Sequence, residues 1–292
     1  MKPRETYPPG VPCWVDTSQE DPDAAAAFYG GLLGWEFVDV SPEDAPGRYL
    51  VARRDGQDVA AIASPPAGSD RPPAMWNTYV RVESADATVE KAKAAGGSAV
   101  VEPFDIPGAG RMAVLADPEG AVFSVWQANG FEGAQLVNEP GAWVFSDLHT
   151  RDSAAAEKFY WEVFGWEKCV GVGGFEFWRL RGYAEFLERD DPELRERHRA
   201  AGASAEFSDA VASIGPLPDG DTPAAHWAVT FGVDDADDIA DKATALGGRL
   251  LVEPFDAGPV RNAVIADPGG AVFTASRFYP ERLTRYQQHA TA

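Results

Sequence analysis

Cysteine is scarce in this chain, with two residues, Cys13 and Cys169, among 292. A small disulfide-held domain needs several half-cystines, and a structural zinc site needs ligands at short spacing. Two cysteines so far apart exclude both kinds of framework. We interpret them as small, buried apolar side chains.

Long apolar runs are absent as well. No stretch of 18 uninterrupted apolar residues occurs, and the opening "MKPRETYPPGVP" contains no apolar segment of the length that a signal peptide needs. We therefore expect a cytoplasmic protein that does not enter membranes.

Basic residues are outnumbered, because 25 Lys and Arg stand against 46 Asp and Glu, for a net charge of −21. The field of such a chain repels phosphate backbones and anionic lipids, which excludes nucleic acid as a partner. The sequence also contains no glycine-rich phosphate loop, no CxxC pair and no GxSxG turn. The best-marked nucleotide, redox and serine-hydrolase sites are therefore excluded.

What the chain does contain is a duplication. The string "VEPFD" occurs at residues 101–105 and again at 252–256, each time followed by an arginine and then by "ADPxGAVF". Residues 76–127 align with residues 227–277 with a gap of one residue, and residues 16–37 align with residues 147–168 at lower similarity. The resulting order A, B, A′, B′ has a long period, which indicates a duplicated domain rather than a solenoid.

Each of the four segments has the same predicted order of a strand, a helix and three strands, separated by caps, glycines and turn residues. The sequence thus predicts an α+β protein of four βαβββ modules. Domain 1 spans residues 11–127 (modules 11–66 and 74–127), residues 128–141 form a linker, and domain 2 spans residues 142–278 (modules 142–218 and 224–278). The third module contains an inserted helix at about residues 190–202, marked by Pro192 and Gly202.

Two motifs carry a family resemblance. The string "FYxxxLGW" at residues 28–35 and the repeated "ADPxGAVF" resemble the vicinal oxygen chelate superfamily of glyoxalase I, bleomycin-resistance proteins and extradiol dioxygenases. The strings "PAMWNTYVRV" and "WQANGFEGAQLVNEPG" resemble an actinobacterial two-domain branch labelled hydroxylase or glyoxalase-like. The resemblance implies two tandem glyoxalase-like domains, each an open curled sheet around a cavity that holds a divalent metal.

The same resemblance implies metal ligands, a His or similar residue on the first strand of each module and a Glu on the last strand. In this chain the corresponding positions hold Trp14, Asn77 and Ser124 in domain 1, and Phe145, Ala228 and Thr274 in domain 2. Divalent Mg, Fe and Zn require carboxylate or imidazole donors. We therefore expect that the usual metal site is lost, and we favour no cofactor.

Strand alternation predicts what faces the cavity of domain 1, because residues two apart share a face. These residues are Trp14, Asp16, Asn77, Tyr79, Ser124 and Trp126. An aromatic wall with a few polar groups suits a small organic metabolite or drug. Asp16 is the candidate catalytic base if burial raises its pKa. Arg111 could clamp a ligand carboxylate, or else pair with Asp105.

Two other functions stay open. Asp147, His149 and His226 face the cavity of domain 2 and could bind Fe, Zn, Ni or Mn as an unorthodox set, which would make the protein a metal-dependent lyase or dioxygenase. The chain could instead be a non-catalytic interaction protein that uses the cleft between its domains. In the favoured hypothesis the protein is a monomer or homodimer, and its partner is a small-molecule ligand or substrate.

Overall fold

The computed structural model of the chain describes residues 3–43, 45–65, 74–171, 174–218, 220 and 223–282. Domain 1 consists of β1 (Pro12–Ser18), α1 (Pro22–Leu33), β2 (Glu36–Asp39), β3 (Tyr49–Arg54), β4 (Gln57–Ala63), β5 (Trp76–Arg81), α2 (Ala85–Ala94), β6 (Ser98–Ile106), β7 (Gly110–Ala116) and β8 (Val122–Ala128). None of the helices in the described ranges of either domain is both long and apolar enough to cross a membrane.

Domain 2 repeats this order with one insertion. It consists of β9 (Trp143–Thr150), α3 (Ser153–Phe164), β10 (Glu167–Val170), β11 (Glu176–Arg179), α4 (Tyr183–Leu187), α5 (Leu194–Ala200), β12 (Ala210–Pro216), β13 (His226–Gly232), α6 (Ala236–Ala245), β14 (Arg249–Ala257), β15 (Val260–Ala266) and β16 (Val272–Phe278). The inserted helix predicted at about residues 190–202 is α5. The insertion also contains α4 and a 3₁₀ turn (Ala205–Asp209), which the sequence did not predict.

Equivalent caps start the first helix of each domain. The carboxylate of Asp21 accepts a hydrogen bond from the Ala24 backbone N–H at the start of α1. Asp152 does the same for the Ala155 N–H at the start of α3. Because side-chain caps fix where a helix begins, the Phe-Tyr pair of each repeat falls on the same buried face.

Each domain forms one mixed, open sheet of eight strands. The strand order is β2-β3-β4-β1-β5-β8-β7-β6 in domain 1 and β10-β11-β12-β9-β13-β16-β15-β14 in domain 2. The first strands of the two modules pair antiparallel at the centre, and each pairs in parallel with the last strand of its own module. The predicted α+β fold of four βαβββ modules in two tandem domains is confirmed.

The helix-bearing faces of the two sheets pack against each other. Helix α1 contacts α6, α2 contacts α3, and β5 contacts β13. At the centre of this interface the hydroxyls of Thr78 and Ser146 lie 2.6 Å apart. We call the opposite face of each sheet, which is turned away from the other domain, its distal face.

Candidate functional site

The six residues predicted to face the cavity of domain 1 do share the distal face of its sheet. In the strand register Trp14 lies opposite Tyr79, which in turn lies opposite Ser124, and Asp16 lies opposite Asn77. Trp126 lies two residues beyond Ser124 on β8. We call this set, Trp14, Asp16, Asn77, Tyr79, Ser124 and Trp126, the domain-1 hollow.

Asp16 is the hydrogen-bonding centre of the hollow. The residue is 3% exposed, and its carboxylate accepts hydrogen bonds from Asn77 Nδ2 (2.9 Å), the Tyr79 hydroxyl (2.8 Å) and the Tyr49 hydroxyl (3.1 Å). Trp14 Nε1 donates to the same Tyr49 oxygen over 2.9 Å. Sequence reasoning missed Tyr49, because β3 carries no counterpart of the repeated motifs.

The electrostatics of this cluster follow from its burial. Burial raises the pKa of Asp16, although the hydrogen bonds from Asn77, Tyr79 and Tyr49 act in the opposite direction. Burial and the charge of Asp16 together raise the pKa of Tyr49 and of Tyr79 well above the usual tyrosine value. Both phenols therefore stay protonated, and they act as donors to a carboxylate whose affinity for a proton is increased.

Aromatic rings close the other end of the hollow. Trp14 and Trp126 are 2% and 6% exposed, and the ring of Phe131 lies between them, with its centroid 4.8 Å from that of Trp14 and 6.2 Å from that of Trp126. Phe131 belongs to the linker, so strand alternation could not have predicted it. Aromatic side chains thus pack together at this end of the set, and one of them comes from the linker.

Arg111 lies apart from the other predicted residues. Its neighbour Met112 lies opposite Trp126 in the register, so Arg111 itself projects from the face that carries α2. Its guanidinium donates to Asp86 (2.7 and 3.0 Å) and to Asp105 (3.0 Å). The ion-pair alternative is therefore confirmed, and the structure does not bring Arg111 into the hollow. The equivalent arginine of domain 2 is paired in the same way.

The distal face of domain 2 is more open. Its half-buried residues are Phe145, Asp147, His149, His226, Ala228, Thr230, Thr274 and Ser276. Asp147 corresponds to Asp16, and it accepts hydrogen bonds from the hydroxyls of Thr230 (2.6 Å) and Ser213. Short hydroxyl side chains thus replace the tyrosines and the amide that surround Asp16.

The two histidines of this face are neighbours. The rings of His149 and His226 stack with centroids 4.9 Å apart, and His226 Nδ1 lies 2.7 Å from the Ala224 carbonyl oxygen. Burial lowers the pKa of His149, and His226 acts in the same direction against the charge of Asp147. Within the described ranges, no group of three or more His, Cys, Asp or Glu side chains could hold a metal ion.

The positions at which the family resemblance implies metal ligands also fail the test of donor chemistry. The distal faces present Trp14, Asn77 and Ser124 in one domain and Phe145, Ala228 and Thr274 in the other. Aromatic rings, a methyl group, one amide and two hydroxyls do not form the carboxylate and imidazole set that divalent Mg, Fe or Zn requires.

Comparison with known families places both domains in one group. The model of the Glyoxalase/Bleomycin resistance protein/Dioxygenase superfamily matches residues 15–125 and again residues 144–274. The chain is 37% identical over 285 residues to "Putative glyoxylase CFP32" of Mycobacterium tuberculosis, covering 97% of this chain and 100% of that protein. It is 33% identical to the anthracycline biosynthesis protein DauV of Streptomyces sp. (strain C5), covering 92% of this chain and 93% of that protein.

Solved structures share the fold at lower identity. The Mn(II)-bound glyoxalase of Novosphingobium aromaticivorans superposes with a TM-score of 0.57 at 21% identity, over 92% of this chain and 82% of that one. The 2,3-dioxygenase LapB of Pseudomonas sp. KL28 gives a TM-score of 0.56 at 13% identity, over 92% and 93% of the two chains. At these identities the likeness is one of fold.

Proposed function

Because the chain belongs to the Glyoxalase/Bleomycin resistance protein/Dioxygenase superfamily, we propose that it binds a small organic molecule in the domain-1 hollow. In this proposal Asp16 anchors a hydroxyl or amine of the ligand and exchanges a proton with it. The activity is either sequestration of the molecule or acid-base chemistry on it, and it belongs to domain 1 rather than to domain 2.

The environment of Asp16 is the observation that carries the proposal. A buried carboxylate with a raised pKa, held by three neutral donors, resembles the general acids and bases of enzymes more than it resembles a structural ion pair. The tyrosines and Asn77 fix the carboxylate in one orientation, so a ligand that displaces one donor meets a preorganised acceptor. Asn77 is half-buried and marks the side from which such a group can enter.

The relatives support a small organic ligand. One of them is named for the biosynthesis of anthracyclines, which are small organic molecules, and another is named as a glyoxylase. Both match this chain over nearly its whole length. Aromatic walls with a few convergent polar groups are typical of sites for such molecules.

The duplication supplies a matched control for the test. A library of small aromatic and carbonyl metabolites is screened by quenching of tryptophan fluorescence, and hits are titrated against the wild type, Asp16→Asn and Asp147→Asn. We expect Asp16→Asn to weaken binding about tenfold or more, since a hydrogen bond to a charged group contributes roughly 1.5–3 kcal/mol. We expect Asp147→Asn, the equivalent change in domain 2, to bind as the wild type does.

Two outcomes would replace this proposal with its rivals. Stoichiometric Fe, Zn, Ni or Mn in the purified protein that is lost in His226→Ala would favour the metal-dependent lyase or dioxygenase with its site in domain 2. The rings of His149 and His226, whose centroids lie 4.9 Å apart, are the imidazole donors that such a metal site would use. Absence of saturable binding by any small molecule would favour an interaction protein.

A further inference from the structure

The linker covers one end of the domain-1 hollow. After β8 the chain turns back over the distal face, and the carbonyl oxygen of Phe131 accepts a hydrogen bond from Trp126 Nε1 over 2.8 Å. The Phe131 ring meets the ring of Trp14 edge-on, at an interplanar angle of 85°, and that of Trp126 at 74°. We call residues 129–134 the strap.

The path of the strap is specified by the sequence. Gly130 and Gly133 have φ angles of +124° and +122°, a conformation that residues with a side chain rarely adopt. A Cβ at Gly133 would also collide with the carbonyl oxygen of Cys13. The strap is therefore built to approach the sheet closely, and this close approach sets the Phe131 ring beside the tryptophans.

Hydrogen bonds on both sides of Phe131 hold the strap against domain 1, among them one from the Tyr7 hydroxyl to the Ala134 carbonyl oxygen over 2.6 Å. The backbone N–H groups of Asn129 and Phe131 donate to the same Ala109 carbonyl oxygen, over 2.8 and 3.1 Å. Ala134 N–H donates to Cys13 O over 2.8 Å. Phe131 itself is half-buried, whereas the two tryptophans that it contacts are fully buried. The ring thus packs on the distal face from outside the strands, and it is the more exposed member of this aromatic group.

Domain 2 differs at the equivalent position: the ring that packs on Phe145 is that of Phe177 from β11, with centroids 5.5 Å apart, and the part of the chain described after β16 ends at Arg282. The residues equivalent to Trp14 and Trp126 there are Phe145 and Ser276, and both are half-buried. Among the described residues, the pair of tryptophans with a linker ring packed against both is a feature of domain 1.

From these contacts we infer that Phe131 is a displaceable occupant of the domain-1 site, and that the ligand has a planar aromatic ring which takes the place of the Phe131 side chain. This inference rests on the proposed function, because it assigns a ligand class to the same hollow. Edge-on contacts with two tryptophans select a flat ring over a saturated one of equal size. Phe131 then competes with the ligand and lowers its apparent affinity.

The test removes the competing ring. Phe131→Ala leaves an apolar space beside Trp14 and Trp126, and such cavities bind benzene-sized molecules. The probes are p-cresol, which is aromatic, and 4-methylcyclohexanol, its saturated analogue, titrated by calorimetry. The control is Phe255→Ala, which removes an exposed ring from the edge of domain 2. We expect p-cresol to bind Phe131→Ala about tenfold more tightly than the wild type, with a smaller gain for the saturated analogue and no gain in Phe255→Ala.

Equal affinity of p-cresol for Phe131→Ala and the wild type, or an equal gain in Phe255→Ala, would overturn the inference. If Phe131→Ala does not fold, Phe131→Leu, which removes the flat ring but keeps much of its volume, is used in the same comparison and must show a gain of the same sign. If p-cresol binds Phe131→Ala and the wild type equally, while a metabolite loses affinity in Asp16→Asn, the role of Phe131 is refuted and the proposed function stands. If p-cresol binds Phe131→Ala more tightly than the wild type, but Asp16→Asn does not change the affinity of any bound metabolite, the proposed role of Asp16 alone is refuted.

Discussion

At the scale of single residues, Asp16 shows how a buried carboxylate is held without a cation. Its three hydrogen-bond partners are two phenols and an amide, all neutral. Neutral donors offset only part of the free energy that is lost when a charge leaves water. The folded protein therefore binds a proton at Asp16 more tightly than the unfolded chain does.

This difference predicts a pH-dependent effect of Asp16→Asn. Because the folded pKa lies above the usual value of 3.8, the folded state holds more protons at this site than the unfolded state, and the contribution of Asp16 to stability falls as the pH rises from that value. Every other titrating group is shared by the two proteins. We expect the free energy of unfolding of the wild type, relative to the variant, to decrease between pH 4 and pH 7 in urea titrations. A difference that is the same at both pH values would contradict this account.

At the scale of helices and strands, alternation was a sufficient guide wherever two strands pair in simple register. It placed Trp14, Asp16 and Asn77 on one face, because β1 and β5 run opposite each other. It could not reach Tyr49, whose strand joins the sheet through β4, or Phe131, which lies in no strand. Contacts made by loops and by unrepeated strands depend on how the chain packs in three dimensions, which a repeat does not encode.

The turn that leads into α3 makes another contact of this kind, since one of its hydrogen-bond acceptors comes from the other domain. The Glu119 carboxylate, in the turn before β8, accepts hydrogen bonds from the Thr150 hydroxyl and from the backbone N–H groups of Arg151 (3.1 Å) and Asp152 (3.3 Å). Burial opposes ionisation of Glu119, but these hydrogen bonds and the charge of Arg151 outweigh it and lower its pKa. A carboxylate at a helix N-terminus stabilises the unpaired N–H groups there.

We therefore expect Glu119→Gln to destabilise the protein by about 1 kcal/mol at pH 7. Because the folded pKa is lowered, the stabilising contribution is present above the usual value of 4.5 and is lost as the pH falls through the folded pKa. The destabilisation should accordingly shrink in acid. Urea titrations at pH 7 and pH 4 measure it. The control is Glu90→Gln, whose exposed carboxylate pairs with Lys93 on the surface and should contribute almost nothing. Equal effects of the two changes would contradict this role of Glu119.

At the scale of the whole molecule, the duplicated motifs join the domains. The rings of Trp35 and Trp76 from domain 1 pack on Phe231 from domain 2, with centroids 5.3 and 4.9 Å apart. Tyr29 likewise contacts Phe273, at 5.7 Å. One cluster of buried apolar residues runs through both domains. Sequence periodicity alone does not distinguish a core inside one domain from a core shared by two.

A shared core predicts that the domains unfold together, and Tyr29→Phe tests this. The Tyr29 hydroxyl donates to Asp267 of domain 2 (2.9 Å) and accepts from Trp76 Nε1 (3.0 Å). Its loss leaves Trp76 Nε1 without this acceptor and removes one of the hydrogen bonds to the buried Asp267, which keeps those from Gln19 and Ala271; the expected destabilisation is about 1–3 kcal/mol. We expect calorimetry to show one transition in both proteins, with the melting temperature of Tyr29→Phe lowered by about 2 °C or more. Tyr279→Phe keeps the ring that contacts Arg282 and should melt as the wild type does. Two transitions, of which Tyr29→Phe moves only one, would mean that the domains fold independently and that the interface adds little to their stability.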